Sequence, residues 1–359
     1  MKKVILLLFF STLFIGCSTS SSSESGTNPI TGAPNPPTSG ASEWSIPINE
    51  VLDGGPGRDG IPALENPSFT LVANINYMRD DDLILGFKKG DDVRGYPHAI
   101  LDWHEIINDD IDDVSVAINY CPLTGTGIGW NRILNGSKTT FGVSGLLFNT
   151  NLIPFDRATR SNWAQILNEA VNGPLLGQKA DLIMLFETNW KTWKELYPNS
   201  QVIGLNTGFS RTYGTSPYGD YNTNNDRFLF PVPKDERLPS KEKVLAILDG
   251  SDAKAYRFAS FPIGDNVKTD TFKGKNYMIV GNANFIVAFE ITPETSDLDF
   301  EYIHDGTEII LGDNEGNEWN VFGEAITGPR QGQFLKHAEY MMGMWFSIPA
   351  FYNTEIFQN

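Results

Sequence analysis

The chain has 359 residues, 40% of them hydrophobic and 20% charged, which is enough for one large globular domain or two ordinary ones with real cores. A formal net charge of -17 and a pI near 4.6 exclude nucleic acid and anionic lipid surfaces as main partners, because both would be repelled.

In chain order, Lys2 and Lys3 precede an apolar run from Val4 to Ile15 and then Gly16-Cys17, the order of an export signal. Leu13-Phe14-Ile15-Gly16-Cys17 resembles a bacterial lipobox, although Phe14 is an unusual choice in it. That resemblance implies a signal peptide over residues 1–17, an acyl group on Cys17, and a partner in the lipid bilayer of a bacterial envelope; uncleaved export is the alternative. The apolar run is too short for a membrane span. With Cys17 lipidated, Cys121 is the single remaining thiol and no intramolecular disulfide can form. Residues 18–43, rich in Ser, Pro and Gly, read as a flexible tether.

Globular sequence begins near Trp44. Leu83 to Phe87 and Val93 to Tyr96 read as strands joined by a turn at Lys89-Gly90-Asp91-Asp92, and Pro97 to Asn108 reads as a short helix. His104-Glu105-Ile106-Ile107-Asn108 departs from the two-histidine zinc motif at its last position. His98 and His104 lie about 240° apart around a helix and do not converge on one metal from it. Val114 to Ile118 alternates as a half-buried strand does, and Pro122 stops it at Cys121. The expectation for Pro122 to Trp130 is a loop given its freedom by Gly125, Gly127 and Gly129.

The chain repeats itself. Lys89 to Tyr96 matches Asp249 to Tyr256, Glu169 to Gly177 matches Glu324 to Gly332, Trp163 pairs with Trp319 and Trp190 with Trp345. Two units of one fold follow, residues 44–206 and 241–359, separated by a Tyr, Gly and Asn-rich connector at 207–240. That connector is either one wall of a cleft on the first unit or an ordinary ordered loop. Where the first unit has Tyr120 to Thr126, the second has Val280 to Phe285, with no cysteine, no proline and a shorter loop. Features shared by the units are scaffold; a feature of one unit alone is the better candidate for chemistry. The architecture expected is β-rich α+β, two related units of short strands with a few short helices.

The combination of His98, Trp103-His104-Glu105, Tyr120-Cys121-Pro122-Leu123-Thr124-Gly125-Thr126, Phe141 to Gly145, Asp156-Arg157, Pro217-Tyr218-Gly219-Asp220-Tyr221 and Arg237-Leu238-Pro239-Ser240-Lys241-Glu242 resembles the bacterial family called domain of unknown function 3179. The resemblance runs from about Ile61 to the C-terminus and implies little about activity. Members of that family usually carry Cys-Pro-Leu-Cys-Gly-Thr at the central loop, where this chain has Thr124 in place of the second cysteine. A Cys-x-x-Thr pair neither forms a disulfide nor chelates a metal through two thiolates.

Three functional readings stand. In the first, Cys121 and His104, with His98 or Glu105, hold copper or zinc in a metal or redox site. In the second, Cys121 is the nucleophile of a thiol enzyme, with His104 as base, Asp102 or Glu105 orienting the imidazole, and loop amides stabilising an oxyanion. In the third, the protein is a non-catalytic envelope module that binds a glycan, peptide or protein, and Cys121 is a buried small hydrophobe.

Overall fold

A computed structural model describes residues 43–304 and 306–358; the signal segment, Cys17 and nearly all of the tether lie outside the described residues. The fold is β-rich with only two α-helices, His98–His104 and Trp190–Leu196, among the described residues.

Strands Leu83–Lys89 and Asp92–Pro97 form an antiparallel hairpin, as expected, closed by Gly90 and Asp91 with Gly90 at φ +55°. Strand Phe186–Asn189 adds to one side of it, and Gln201–Ile203 runs parallel on the other. In the C-terminal half, Lys243–Asp249 and Asp252–Arg257 form the same hairpin around Gly250, flanked by Tyr340–Met344 and by Asn353–Ile356, again parallel. A meander follows each hairpin: Ile106–Ile111, Val114–Cys121 and Thr126–Asn131 in the first half, Val267–Phe272, Lys275–Gly281 and Ile286–Ile291 in the second.

Side-chain chemistry recurs along with the pairing. Tyr96 donates to Asp109 (2.8 Å) and Tyr256 to Asp270 (2.7 Å), with Arg94 and Lys254 completing the respective ion pairs. The indoles of Trp163 and Trp319 donate to Asp156 and Asp313 at 3.1 and 2.9 Å, so buried rings fix the ends of two equivalent hairpins.

Helix His98–His104 is shorter than the sequence pattern predicts. Ile106 and Ile107 join the strand Ile106–Ile111, where β-branched side chains pack on the pleated surface, and Glu105 turns the chain between the two elements. The second half has a short 3-10 turn, Phe258–Ser260, where the first has this helix.

The halves dock through their meander loops. The amide of Met344 donates to the Thr124 carbonyl (2.8 Å) and Lys243 Nζ to the Gly125 carbonyl (2.7 Å). In return, Thr188 Oγ1 donates to the Asn284 carbonyl (3.1 Å), and Asn189 bonds the Asn284 side chain (2.9 Å). One apolar core runs from the Cys121 loop through Tyr221, Phe230 and Leu238 of the connector to Val244, Met344 and Phe346.

Candidate functional site

The strand Val114–Cys121 ends on the cysteine, whose carbonyl then accepts the amides of Thr124 (3.2 Å) and Gly125 (2.8 Å) to close a tight turn. Of the three loop glycines only Gly125 needs positive φ, at +63°. Gly127 and Gly129 lie in the strand Thr126–Asn131 instead, where a Cβ would strike the Leu85 side chain at 2.5 Å or the Ile183 carbonyl at 2.4 Å; close packing excludes a side chain there. Cys121 pairs with Thr126 as Gly281 pairs with Ile286, so the loops are equal in length and Gly281 holds the cysteine's place in the second half. Phe261 lies against that glycine, 2.9 Å from where its Cβ would be, and fills the room a side chain would take.

Cys121 is 1% exposed and its Sγ faces the Thr150 carbonyl at 3.8 Å. Burial and the Glu105 carboxylate push the thiol up to about 11, against a hydrogen bond from the Thr124 side chain. Thr124, at the position of the family's second cysteine, is itself buried and tied to Thr126 and Asn151 at 2.8 and 3.0 Å.

Stretches far apart in the chain bring ionisable groups to this sulfur. Glu105 sits at φ +57°, a left-handed conformation costly for a residue with a Cβ, held by its amide on Leu101 (2.8 Å) and its carbonyl on the Tyr120 amide (2.7 Å). Its carboxyl, buried and hydrogen-bonded by Tyr218 Oη at 3.2 Å, is raised to about 7 by burial, with the neighbouring Asp102 adding to the shift. From the connector, Tyr221 donates to the Leu123 carbonyl at 2.9 Å. Lys241 Nζ lies over the rings of Tyr221, Phe228 and Phe346, at 3.3, 4.5 and 4.7 Å from their centroids, with no hydrogen-bond partner among the described residues. Burial pulls this amine down to about 7, while the Cys121 sulfur works to hold its proton. Tyr218 and Tyr221 are raised by burial and by the same sulfur. Burial thus drives the thiol, the carboxyl and the amine all toward their uncharged forms.

His104 is placed differently from the base expected for Cys121. Its Nδ1 faces the Pro62 carbonyl at 2.7 Å and must donate there, so Nε2 accepts from Tyr213 Oη at 2.6 Å. Burial lowers its pKa, against the hydrogen bond to Pro62, and so favours the neutral ring. With both nitrogens committed, the imidazole orders the connector rather than activating the thiol. His98 turns to another face, as the helix geometry requires, with Nε2 3.5 Å from Glu187 and its ring on Tyr120 at 4.3 Å. Glu187 also meets Lys243 at 2.6 Å. Burial works to raise this carboxyl, but Lys243 and His98 outweigh it and hold it at about 2. The proposed donor set of Cys121, His104 and His98 is not assembled, and no group of three or more His, Cys, Asp or Glu side chains suited to a metal occurs among the described residues. A copper or zinc ion would find one sulfur and no free imidazole at Cys121.

Asp102 lies beside this cluster, raised to about 6 by burial against the opposing effects of His98 and a hydrogen bond with Ser216. It lines a cleft of about 320 Å3 with His98 and Tyr120 on one side and Thr215, Ser216 and Asn222 of the connector on the other. Of the two readings of the connector, the structure realises the wall. Sequence reasoning missed Lys241, Glu187 and Lys243 as site residues: a lone lysine or glutamate carries no signal until the fold buries it. Only the run Arg237 to Glu242, quoted for its resemblance, hinted at the first.

No curated protein and no solved structure matches the chain. The family described as Protein of unknown function (DUF3179) matches residues 58–355, a span that contains the Cys121 loop, Glu105, Tyr218, Tyr221 and Lys241, and the chain therefore belongs to the DUF3179 family.

Proposed function

We propose that this is an exported, lipid-anchored protein whose two related halves carry one thiol-dependent reaction centre, with Cys121 as nucleophile, Lys241 as its proton acceptor and Glu105 as acid. The export and anchoring part rests on the order Lys2-Lys3, apolar run, Cys17. The observation that carries the centre is convergence: residues 105, 218 and 241, from separate stretches, bring a perturbed carboxyl, a tyrosine and a perturbed amine into electrostatic range of the buried Cys121 thiol. Lys241 Nζ makes no hydrogen bond to Sγ in this structure, so the Sγ proton reaches the neutral amine only once the two close together, leaving a thiolate and an ammonium that three ring faces favour. The thiolate bonds an electrophilic carbon, and protonated Glu105 gives its proton to the departing atom.

One observation favours a different reading. The sulfur is sealed, as a structural cysteine in a non-catalytic binding module would be. Iodoacetamide labelling of the intact protein, followed by mass spectrometry from pH 6 to 10, separates the two. The thiol reading expects Cys121 to label without denaturant and Lys241→Met to slow labelling about tenfold or more near pH 8. Labelling only in urea overturns it in favour of the binding module.

A further inference from the structure

We propose that the cleft between helix His98–His104 and the connector binds a small organic cation, an amine or guanidinium with several N–H donors, as the ligand class of this protein. The proposal rests on the thiol reading only for what happens next at Cys121.

Three buried polar atoms in the cleft's lining have no hydrogen-bond partner among the described residues: the acceptors Asp102 Oδ1 from the helix and Asn222 Oδ1 from the connector, and His98 Nε2, a donor or acceptor according to its tautomer. A buried acceptor left unpaired is destabilising, so the two oxygens call for donors on a guest. Charge decides which donors. Asp81, Asp82 and Asp102 line the cleft against a single guanidinium, Arg79, already bonded to Asp82 at 3.1 Å and 3.8 Å from Asp81. His98 lines the cleft too, with its Nε2 3.5 Å from the buried Glu187 carboxylate. The surplus is negative, which repels carboxylates and phosphates and favours a cation over a neutral polyol.

At about 320 Å3 the space suits a molecule of metabolite size. An ammonium at Asp102 would also restore the ionised form of a carboxyl that burial raises. The second half offers no equivalent, since the 3-10 turn Phe258–Ser260 carries no carboxylate.

The test is isothermal titration calorimetry of the full chain at pH 7.5 with agmatine and spermidine, using 1,4-butanediol and succinate as neutral and anionic controls. At least one amine binds more tightly than both controls. Asp102→Asn weakens it about tenfold or more, the loss of one charge-assisted contact, whereas Asp226→Asn at an exposed site leaves it unchanged. Asn222→Ala provides a second, milder lesion should Asp102→Asn fold poorly, and it too must weaken binding. No heat with either amine, equal binding by the cleft variants, or tighter binding of succinate overturns the proposal. Calorimetry reads the cleft and alkylation reads the sulfur, so the failure of one is distinguishable from the failure of the other.

Discussion

Glu105→Gln tests whether the site is maintained at a cost to stability. The carboxyl is raised from an ordinary 4.5 to about 7, chiefly by burial and then by Asp102, against the hydrogen bond from Tyr218. Its folded pKa lies above its unfolded one, so folding favours the protonated form. The stability this confers is complete below about pH 4.5 and is lost as pH rises through about 7. At about 1.4 kcal/mol per unit, the shift corresponds to about 3 kcal/mol lost by pH 8. Glutamine keeps the size, the left-handed backbone and an oxygen for Tyr218, but never ionises. Guanidinium unfolding at pH 4, 6 and 8 should find wild type and Glu105→Gln nearly equal at pH 4, with the variant pulling ahead to about 3 kcal/mol at pH 8. A constant difference across that range, or a variant less stable at pH 8, would refute the placement of a strongly perturbed carboxyl beside Cys121.

Lys243→Met removes the cation that meets Glu187 at 2.6 Å and the Gly125 carbonyl at 2.7 Å, leaving a buried carboxylate with only His98 beside it. The expected loss is about 3–5 kcal/mol in denaturant unfolding near neutral pH. Because the Glu187 pKa is depressed, the deficit should fade as pH drops from about 4.5 toward about 2, and Glu187→Gln in the same chain should recover most of it; no recovery would show that the lysine acts through packing alone. For the anchor, metabolic labelling with radioactive palmitate should mark the wild-type protein and not Cys17→Ser, and label that persists in the variant places the acyl group elsewhere.

Much of the scaffold was legible in the sequence because local chemistry dictates it. Gly90 and Gly250 sit in matching two-residue turns, and Trp163 and Trp319 each follow, by seven and six residues, the aspartate to which their indole donates. The end of the Cys121 strand was legible too, since Pro122 cannot continue regular pairing. Helix length was not, because Ile106 and Ile107 satisfy either a helical or a strand period and only the pairing with Ile118 and Asn119 selects the strand. The site was half legible. Cys121 and Glu105 stand out as types, but which base faces the sulfur depends on contacts across more than a hundred residues. Sequence proximity favoured His104, whereas the fold spends that imidazole on Pro62 and Tyr213 and buries Lys241 over the Tyr221 ring within electrostatic range of the sulfur.

The exchange of loops between the halves has a wider meaning. Thr124 and Gly125 are seated by Met344 and Lys243, while Asn284 is seated by Thr188 and Asn189. Each half is the mould in which the other's bend is cast, as in an obligate homodimer whose protomers have been spliced into one polypeptide. The Cys121 bend therefore takes its shape from the opposite half, in which Gly281 occupies the corresponding place.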